Sequence, residues 1–98
     1  MELVQSTLSA SLFDKSAKQL LLQLLERLTD GQLLLREGSE HHSLGVTGTD
    51  LYAELVVQDP AFYRRLLLGG SIAAGETWVE GLWSSPDPVA LVRLLARN

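Results

Sequence analysis

The 98-residue sequence contains no cysteine, which excludes disulfides, thiolate metal sites and a cysteine nucleophile. It also lacks a long apolar run. The richest stretch, Leu20 to Leu28, is interrupted by Gln23, Glu26 and Arg27 and falls short of the about 18 residues that suggest a membrane span. The N-terminus has no basic start followed by an apolar core, as a secretion signal would. These absences fit a cytoplasmic chain.

Basic residues are in the minority, with 8 Lys and Arg against 12 Asp and Glu and a net charge of −4. Nucleic-acid binding needs clustered Lys and Arg to displace counterions, so nucleic acid is not an expected partner. The same balance disfavours simple electrostatic attachment to anionic membranes. Two local basic patches have the opposite sign to the net charge, and they lie at Arg64-Arg65 and at Arg93 with Arg97.

The hydrophobic share of 46% and the charged share of 20% are typical of one small globular domain. We expect a flexible N-terminus over residues 1–10 and a single domain over 11–98. Apolar residues at spacings of three and four predict a first helix from about Ser11 or Asp14 to Leu28, forming a wall of the core. Ser11 and Asp14 form a candidate capping box at the start of this helix. Gly31 suits the left-handed position that follows the end of a helix.

Three strands are predicted after this helix. Residues 32–37 and 41–46 flank Gly38-Ser39-Glu40, which indicates an antiparallel hairpin. A turn over 47–50 follows. Residues 51–58 then alternate, with Leu51, Ala53, Leu55 and Val57 on one face, which is a clear strand signal.

Three helices are predicted in the last third. Asp59 and Pro60 start one that ends at Gly69-Gly70, and a second runs from Ser71 towards Leu82. Asp87-Pro88 opens the last helix. The fold class is therefore α+β, with a small antiparallel sheet and helices packed on one face, in the order helix, three strands, three helices.

The last helix reaches Asn98 without a glycine stop or a polar tail. A small natural protein would more often finish its helix with a cap. We therefore expect this chain to be the front part of a longer protein.

No arrangement of residues predicts a self-contained active site. The sequence has no nucleophile elbow and no glycine-rich phosphate loop after a strand. Glu76 and Glu80 share a helical face, but without a nearby histidine or third acid they are typical of an exposed face. His41 and His42 would point to opposite faces of a strand, so joint metal ligation is disfavoured. We expect no catalytic, cofactor-binding or metal-binding residue.

The candidate contact residues are two arginines and two tryptophans. Arg64 and Arg65 could meet phosphate headgroups, against the alternative of a plain surface pair. Trp78 lies within a predicted helix, where core packing is favoured. Trp83 stands at the end of an element, so an interface role and a core role both remain open.

The segment GGSIAAGETWVEGLWSSPDPVALVRLLARN, residues 69–98, resembles the N-terminal region of cyclopropane-fatty-acyl-phospholipid synthases. Gly70, Gly75, Glu76, Gly81 and Trp83 stand where that family shows its glycine, Gly-Glu and Gly-x-Trp pattern. Four positions depart from it, with tryptophan at 78 for the usual tyrosine, valine at 79 for the usual methionine, and Ala73 and Ala74 for a frequent glycine or leucine. Weaker likenesses reach back to about residue 25.

This resemblance implies a longer enzyme that uses S-adenosylmethionine to modify unsaturated phospholipid acyl chains. Its cofactor site and catalytic residues would belong to a C-terminal methyltransferase domain, and no catalytic residue carries over to this chain. The part present resembles the front domain, with a fold reminiscent of sterol-carrier domains. The implied partners are the C-terminal domain and a phospholipid membrane surface, and the implied location is cytoplasmic, at the inner face of the membrane.

Within this interpretation, Gly75 and Gly81 would permit close backbone approach, and Glu76 would meet backbone donors or a charge partner. Trp83 would fill the seam between domains. Two other classes of function remain open: a free-standing lipid carrier that encloses an acyl chain, and a dimerisation module that forms a homodimer.

Overall fold

Three helices and four strands make up the described part of the chain, which is residues 2–46 and 48–98, without the side chains of 2–12. In this computed structural model the elements are α1 (Glu2–Leu25), β1 (Gln32–Glu37), β2 (Glu40–Gly45), β3 (Tyr52–Val57), α2 (Ala61–Glu80), β4 (Trp83–Ser84) and α3 (Pro88–Arg97). The α+β class is confirmed, as are the predicted hairpin and third strand. Part of the turn predicted over 47–50, Thr47, lies outside the described residues.

The strands form one sheet in the order β2-β1-β3-β4. The hairpin β1–β2 is antiparallel, but β3 pairs with β1 in parallel, with Leu33 opposite Ala53 and Leu35 opposite Leu55. The sheet is therefore mixed, and the prediction of a purely antiparallel sheet is wrong. Strand β3 lies on the opposite side of β1 from β2. Because β3 runs in the opposite direction to β2, it is parallel to β1.

One face of the sheet supplies most of the core. Leu33 and Leu35 from β1 and Leu44 from β2 are buried, as are Leu51, Ala53, Leu55 and Val57 in and before β3. The predicted apolar face of residues 51–58 is confirmed. The helices cover this face, since Phe62 and Tyr63 of α2 and Leu91 and Leu94 of α3 belong to the same cluster. Each such side chain contributes about 1.5–3 kcal/mol of transfer free energy.

Helix α1 is longer than predicted and only partly a core wall. It begins at Glu2, so residues 11–14 are interior and the capping-box prediction is wrong. Ala17 and Leu21 are buried, but Phe13, Leu20 and Leu24 are exposed along its side. Flexibility of residues 1–10 stays a prediction, because Met1 and the side chains of 2–12 lie outside the described residues.

Helix α2 consists of two halves joined by a sharp bend, which matches the two predicted helices. Gly70 has φ 59° and ψ −139°, a combination that a side chain would strain and that breaks the helix. The bend is large, because Arg65 Nη1 and Glu80 Oε1 lie 2.7 Å apart, whereas 15 residues of straight helix span about 22 Å. Asp59 Oδ1 accepts a hydrogen bond from Ala61 N at 2.9 Å, as an N-terminal cap does.

Strand β4 was not predicted. Its two residues pair antiparallel with Val56 and Val57, and a run that short shows no periodicity. Helix α3 begins as predicted, because Asp87 Oδ1 accepts a hydrogen bond from Ala90 N at 3.1 Å. Its end differs from the prediction: the Asn98 side chain donates to Leu94 O and Asp30 O and accepts from Asp30 N, so the helix does carry a polar cap.

Replacing either of two positive-φ glycines of the hairpin with alanine tests how closely the backbone packs at that position. A Cβ at Gly45 would lie 2.5 Å from Gly31 O, whereas a Cβ at Gly38 would meet nothing within 4 Å. We expect Gly38→Ala to cost about 1–2 kcal/mol of unfolding free energy from backbone strain alone. Gly45→Ala should cost clearly more, because strain and a clash add. Urea unfolding of both variants measures the difference, and equal losses would contradict this packing.

Candidate apolar binding site

An apolar groove of about 780 Å³ opens between α2, α3 and the end of α1. We call it the tryptophan groove. Its lining consists of Leu25, Leu33, Leu55, Phe62, Leu66, Gly70, Ser71, Ala74, Gly75, Trp78, Trp83, Pro88, Leu91, Val92, Leu95 and Ala96. None of these side chains is charged, and the volume lies in the range of small-molecule sites.

Trp83 holds one wall of the groove in place. Its indole Nε1 donates hydrogen bonds to Ala74 O and to Thr77 Oγ1, both at 3.0 Å. Thr77 is fully buried and donates in turn to Ala73 O at 2.6 Å. Trp83 therefore ties β4 to the second half of α2, which is a packing role, and its interface role stays a prediction.

Trp78 lies at the rim and is 42% exposed, so the prediction that it packs in the core is wrong. Its ring meets that of Trp83 edge to face, with centroids 4.7 Å apart. Trp83 also contacts Phe62, with centroids 6.2 Å apart. The helical periodicity of the sequence does not distinguish a core side chain from one in an uncovered groove, because both are apolar positions on the same face.

The glycines of the family-like run have roles other than those predicted. A Cβ at Gly75 or at Gly81 would meet nothing within 4 Å, so neither permits a close backbone approach. Gly75 instead leaves open space in the groove, and Gly81 ends α2 in the left-handed conformation at φ 82°. Glu76 is exposed, and its predicted partner across a domain junction stays a prediction.

The rim of the groove is apolar on both sides. Trp78 of α2 and Val92 and Leu95 of α3, which all line the groove, are 42%, 64% and 48% exposed. An apolar groove with an apolar rim differs from a typical protein surface, where large apolar side chains are scattered singly.

The two predicted arginines lie on another part of α2. Arg65 is paired with Glu80, whose carboxylate accepts its hydrogen bond at 2.7 Å and raises the pKa of the guanidinium. Arg64 lines a second groove of about 650 Å³, which we call the α1–α2 groove. Its other lining residues are Phe13, Ser16, Ala17, Leu20, Leu67 and Leu68. The structure thus brings Trp78 and Trp83 together and separates both from Arg64.

A polar cluster between α1, the β1–β2 turn and α2 was missed. Lys18 Nζ donates to Glu37 Oε1 at 2.8 Å and to Glu40 Oε2 at 2.6 Å, and Tyr63 Oη donates to Glu37 Oε1 at 2.7 Å. His42 Nε2 lies 3.4 Å from Glu40 Oε2. These residues are spread over 46 positions of the chain, so no local sequence pattern could have predicted the cluster.

The pKa values in this cluster follow its contacts. Burial lowers the pKa of Lys18, but hydrogen bonds to Glu37 and Glu40 outweigh it, so the net shift is upward. Burial, followed by the hydrogen bond to Glu37, raises the pKa of Tyr63 far above its usual value of 10.0. The lysine therefore stays charged and the tyrosine neutral at ordinary pH. Such a network joins α1 to the sheet.

The lining of the tryptophan groove bears on whether it fits a polar cofactor. The tryptophan groove has no carboxylate to bind ribose hydroxyls or an amino group, so its residues do not fit S-adenosylmethionine. Within the described residues, no group of three or more His, Cys, Asp or Glu side chains could hold a metal ion. Over residues 2–46 and 48–98, no helix has both the length and the apolarity that crossing a bilayer requires.

Comparisons with protein-family models, curated proteins and solved structures found no match to this chain. The resemblance to cyclopropane-fatty-acyl-phospholipid synthases stays a prediction.

The polar cluster predicts a specific acid dependence of stability. A hydrogen bond from Lys18 lowers the pKa of Glu40 below its usual 4.5, so the stabilisation is present above pH 4.5 and is lost as the pH falls through the folded-state value. We expect the difference in Tm between the wild type and Glu40→Gln to be largest near neutral pH and to shrink below pH 4.5. Thermal unfolding across this range measures it.

Glu26→Gln is the matched control, because Glu26 is an exposed acid near the end of α1. Its Tm difference from the wild type should be small throughout. A Glu40→Gln difference that stays constant from pH 7 to pH 3 would show that the cluster does not stabilise the fold through charge.

Proposed function

We propose that this chain is a non-catalytic domain that engages phospholipid by taking an acyl chain in the tryptophan groove. The observation that carries the proposal is the groove itself, which combines a volume of about 780 Å³, an uncharged lining and an exposed apolar rim. A flexible hydrocarbon chain is the ligand class that such a lining binds without leaving polar groups unpaired.

The mode of engagement is apolar and not electrostatic. The lining has no cation, Arg65 is paired with Glu80, and the chain carries a net charge of −4. Headgroup charge therefore contributes little, and burial of apolar surface at about 25 cal/mol per Å² supplies the driving force. The exposed rim would rest against the hydrocarbon region beside the bound chain.

By its resemblance to cyclopropane synthases, the domain would serve an S-adenosylmethionine-dependent lipid methyltransferase and pack on its C-terminal catalytic domain. The cofactor would be bound there, in keeping with the poor fit of the groove residues to it. This parent enzyme, its location at the cytoplasmic face of the membrane and Glu76 as a junction contact are parts of the same proposal.

The two alternatives have different support. A free-standing carrier would need an enclosed cavity, and the exposure of Trp78, Val92 and Leu95 at the groove favours the membrane-facing role. A homodimer is a second candidate because Phe13, Leu20 and Leu24 form an exposed apolar row along α1. Sedimentation at several concentrations distinguishes a dimer from a monomer.

Filling the groove at Gly75 tests the proposal. A side chain there enters open space from a helical position, so Gly75→Ala should stabilise the protein by about 0.5–1 kcal/mol. We expect Gly75→Leu to remain folded but to bind phospholipid at least about tenfold more weakly, because its side chain occupies the ligand's place. The measurement is co-sedimentation with palmitoyl-oleoyl phosphatidylcholine vesicles, together with tryptophan emission.

Gly75→Ala is the matched control and should bind like the wild type. Because the interaction is apolar, binding should change little between low and high salt. If wild-type protein does not bind the vesicles, or if Gly75→Leu binds as well as Gly75→Ala, the proposal is wrong.

A further inference from the structure

The α1–α2 groove differs from the tryptophan groove in carrying one cation on an otherwise apolar wall. Phe13 and Leu20 of α1 and Leu68 of α2 are 62%, 50% and 79% exposed around it, and Arg64 lies among them. Phe13 and Leu20 are seven residues apart on one helix, so the apolar floor runs for about 10 Å. A ligand lying along it meets hydrocarbon over that length and a positive charge at its side.

The guanidinium of Arg64 has spare bonding capacity. Its Nη1 lies 3.6 Å from Asp14 Oδ1, which is an ion-pair distance but too long for a hydrogen bond. Among the described residues it donates no hydrogen bond, although a guanidinium carries five N–H groups. Arg65, by contrast, is hydrogen-bonded to Glu80. An anionic group can therefore bind Arg64 without breaking a formed hydrogen bond.

Asp14 adds a second polar feature at this site. Its Oδ1 is buried and accepts no hydrogen bond within the described residues. Buried carboxylate oxygens without a donor are uncommon in folded proteins. The pair Asp14–Arg64 is thus held together by charge without a hydrogen bond. An anion at Arg64 must offset the repulsion of the Asp14 carboxylate, and hydrogen bonds from the unused guanidinium N–H groups supply the gain.

We infer that the α1–α2 groove is a second binding site, for a single-chain amphiphile with an anionic headgroup. The headgroup binds the Arg64 guanidinium, and the chain lies along Phe13, Leu20 and Leu68. A detached molecule fits better than a bilayer surface. The groove has a single cation and the chain has a net charge of −4, so an anionic membrane would not be attracted to it. The groove volume of about 650 Å³ is that of a small-molecule site.

Titration calorimetry with three probes of equal chain length tests this inference: dodecanoate and dodecyl phosphate, each below its micelle concentration, and the neutral dodecanol, below its solubility limit. We expect both anions to bind the wild type more tightly than dodecanol. Arg64→Gln should weaken the anions about tenfold or more and leave dodecanol unchanged, because it removes a charge-assisted hydrogen bond. Arg64→Lys should restore part of the loss, since the charge returns without the planar fork.

A pair of exposed leucine and isoleucine positions supplies the matched control. Leu68→Asp places a carboxylate in the groove and should weaken all three probes. Ile72→Asp makes a similar change at a residue of like exposure that lines neither groove, and it should bind like the wild type. Both positions are solvent-exposed, so the variants should fold equally well, which circular dichroism verifies.

Gly75→Leu separates this inference from the proposed function. Blocking the tryptophan groove should leave dodecanoate binding at Arg64 intact. If Gly75→Leu abolishes anion binding while Arg64→Gln and Leu68→Asp do not affect it, the amphiphile occupies the tryptophan groove and the inference is wrong. If dodecanol binds as tightly as dodecanoate, the assigned role of Arg64 is wrong, whatever the vesicle measurements give.

Discussion

The indole N–H of Trp83 fixes the α2 wall of the tryptophan groove. It reaches Ala74 O and Thr77 Oγ1 at 3.0 Å and so holds the second half of α2 against β4. Backbone bonds from Gln58 N and Asp59 N to Leu82 O hold the same corner to the end of β3. Since Gly70 lets α2 bend and Trp83 fixes where the bent half lies, the gap between α2 and α3 is a defined part of the fold.

The two grooves lie on different faces of α2. Residues such as Leu66 and Gly70 line the uncharged groove, whereas Arg64, Leu67 and Leu68 line the groove beside α1. Helical geometry makes this division unavoidable, because consecutive residues point about 100° apart around the axis. The sequence RRLLLGG, residues 64–70, therefore contributes to two different surfaces although it reads as one short run.

Local chemistry made much of the fold predictable. The hairpin follows from short runs around Gly38, β3 from the alternation of residues 51–58, and the start of α3 from Asp87 and Pro88. Each depends on neighbours in the sequence. The parallel pairing of β1 with β3 and the two-residue β4 depend on how distant segments meet, which no local pattern records.

The site was predicted less well, for the same physical reason. The segment 69–98 was predicted to contain contact residues, and it does supply Trp78 and Trp83 to the groove. Its apolar periodicity, however, could not separate residues that pack inside from residues that remain uncovered, and Trp78, Val79 and Val92 fall in the second group. The Lys18 cluster joins four elements, so only the folded arrangement brings its charges together.

The margins of the sheet have a consequence for solubility. One outer strand, β2, displays charged and polar side chains at Glu40, His41 and Ser43, and the other, β4, is only two residues long and is followed closely by Pro86. Strands of this kind offer a poor template for a neighbouring molecule's backbone. A domain that exposes two apolar grooves is thereby shielded from growing into β-linked aggregates through its sheet.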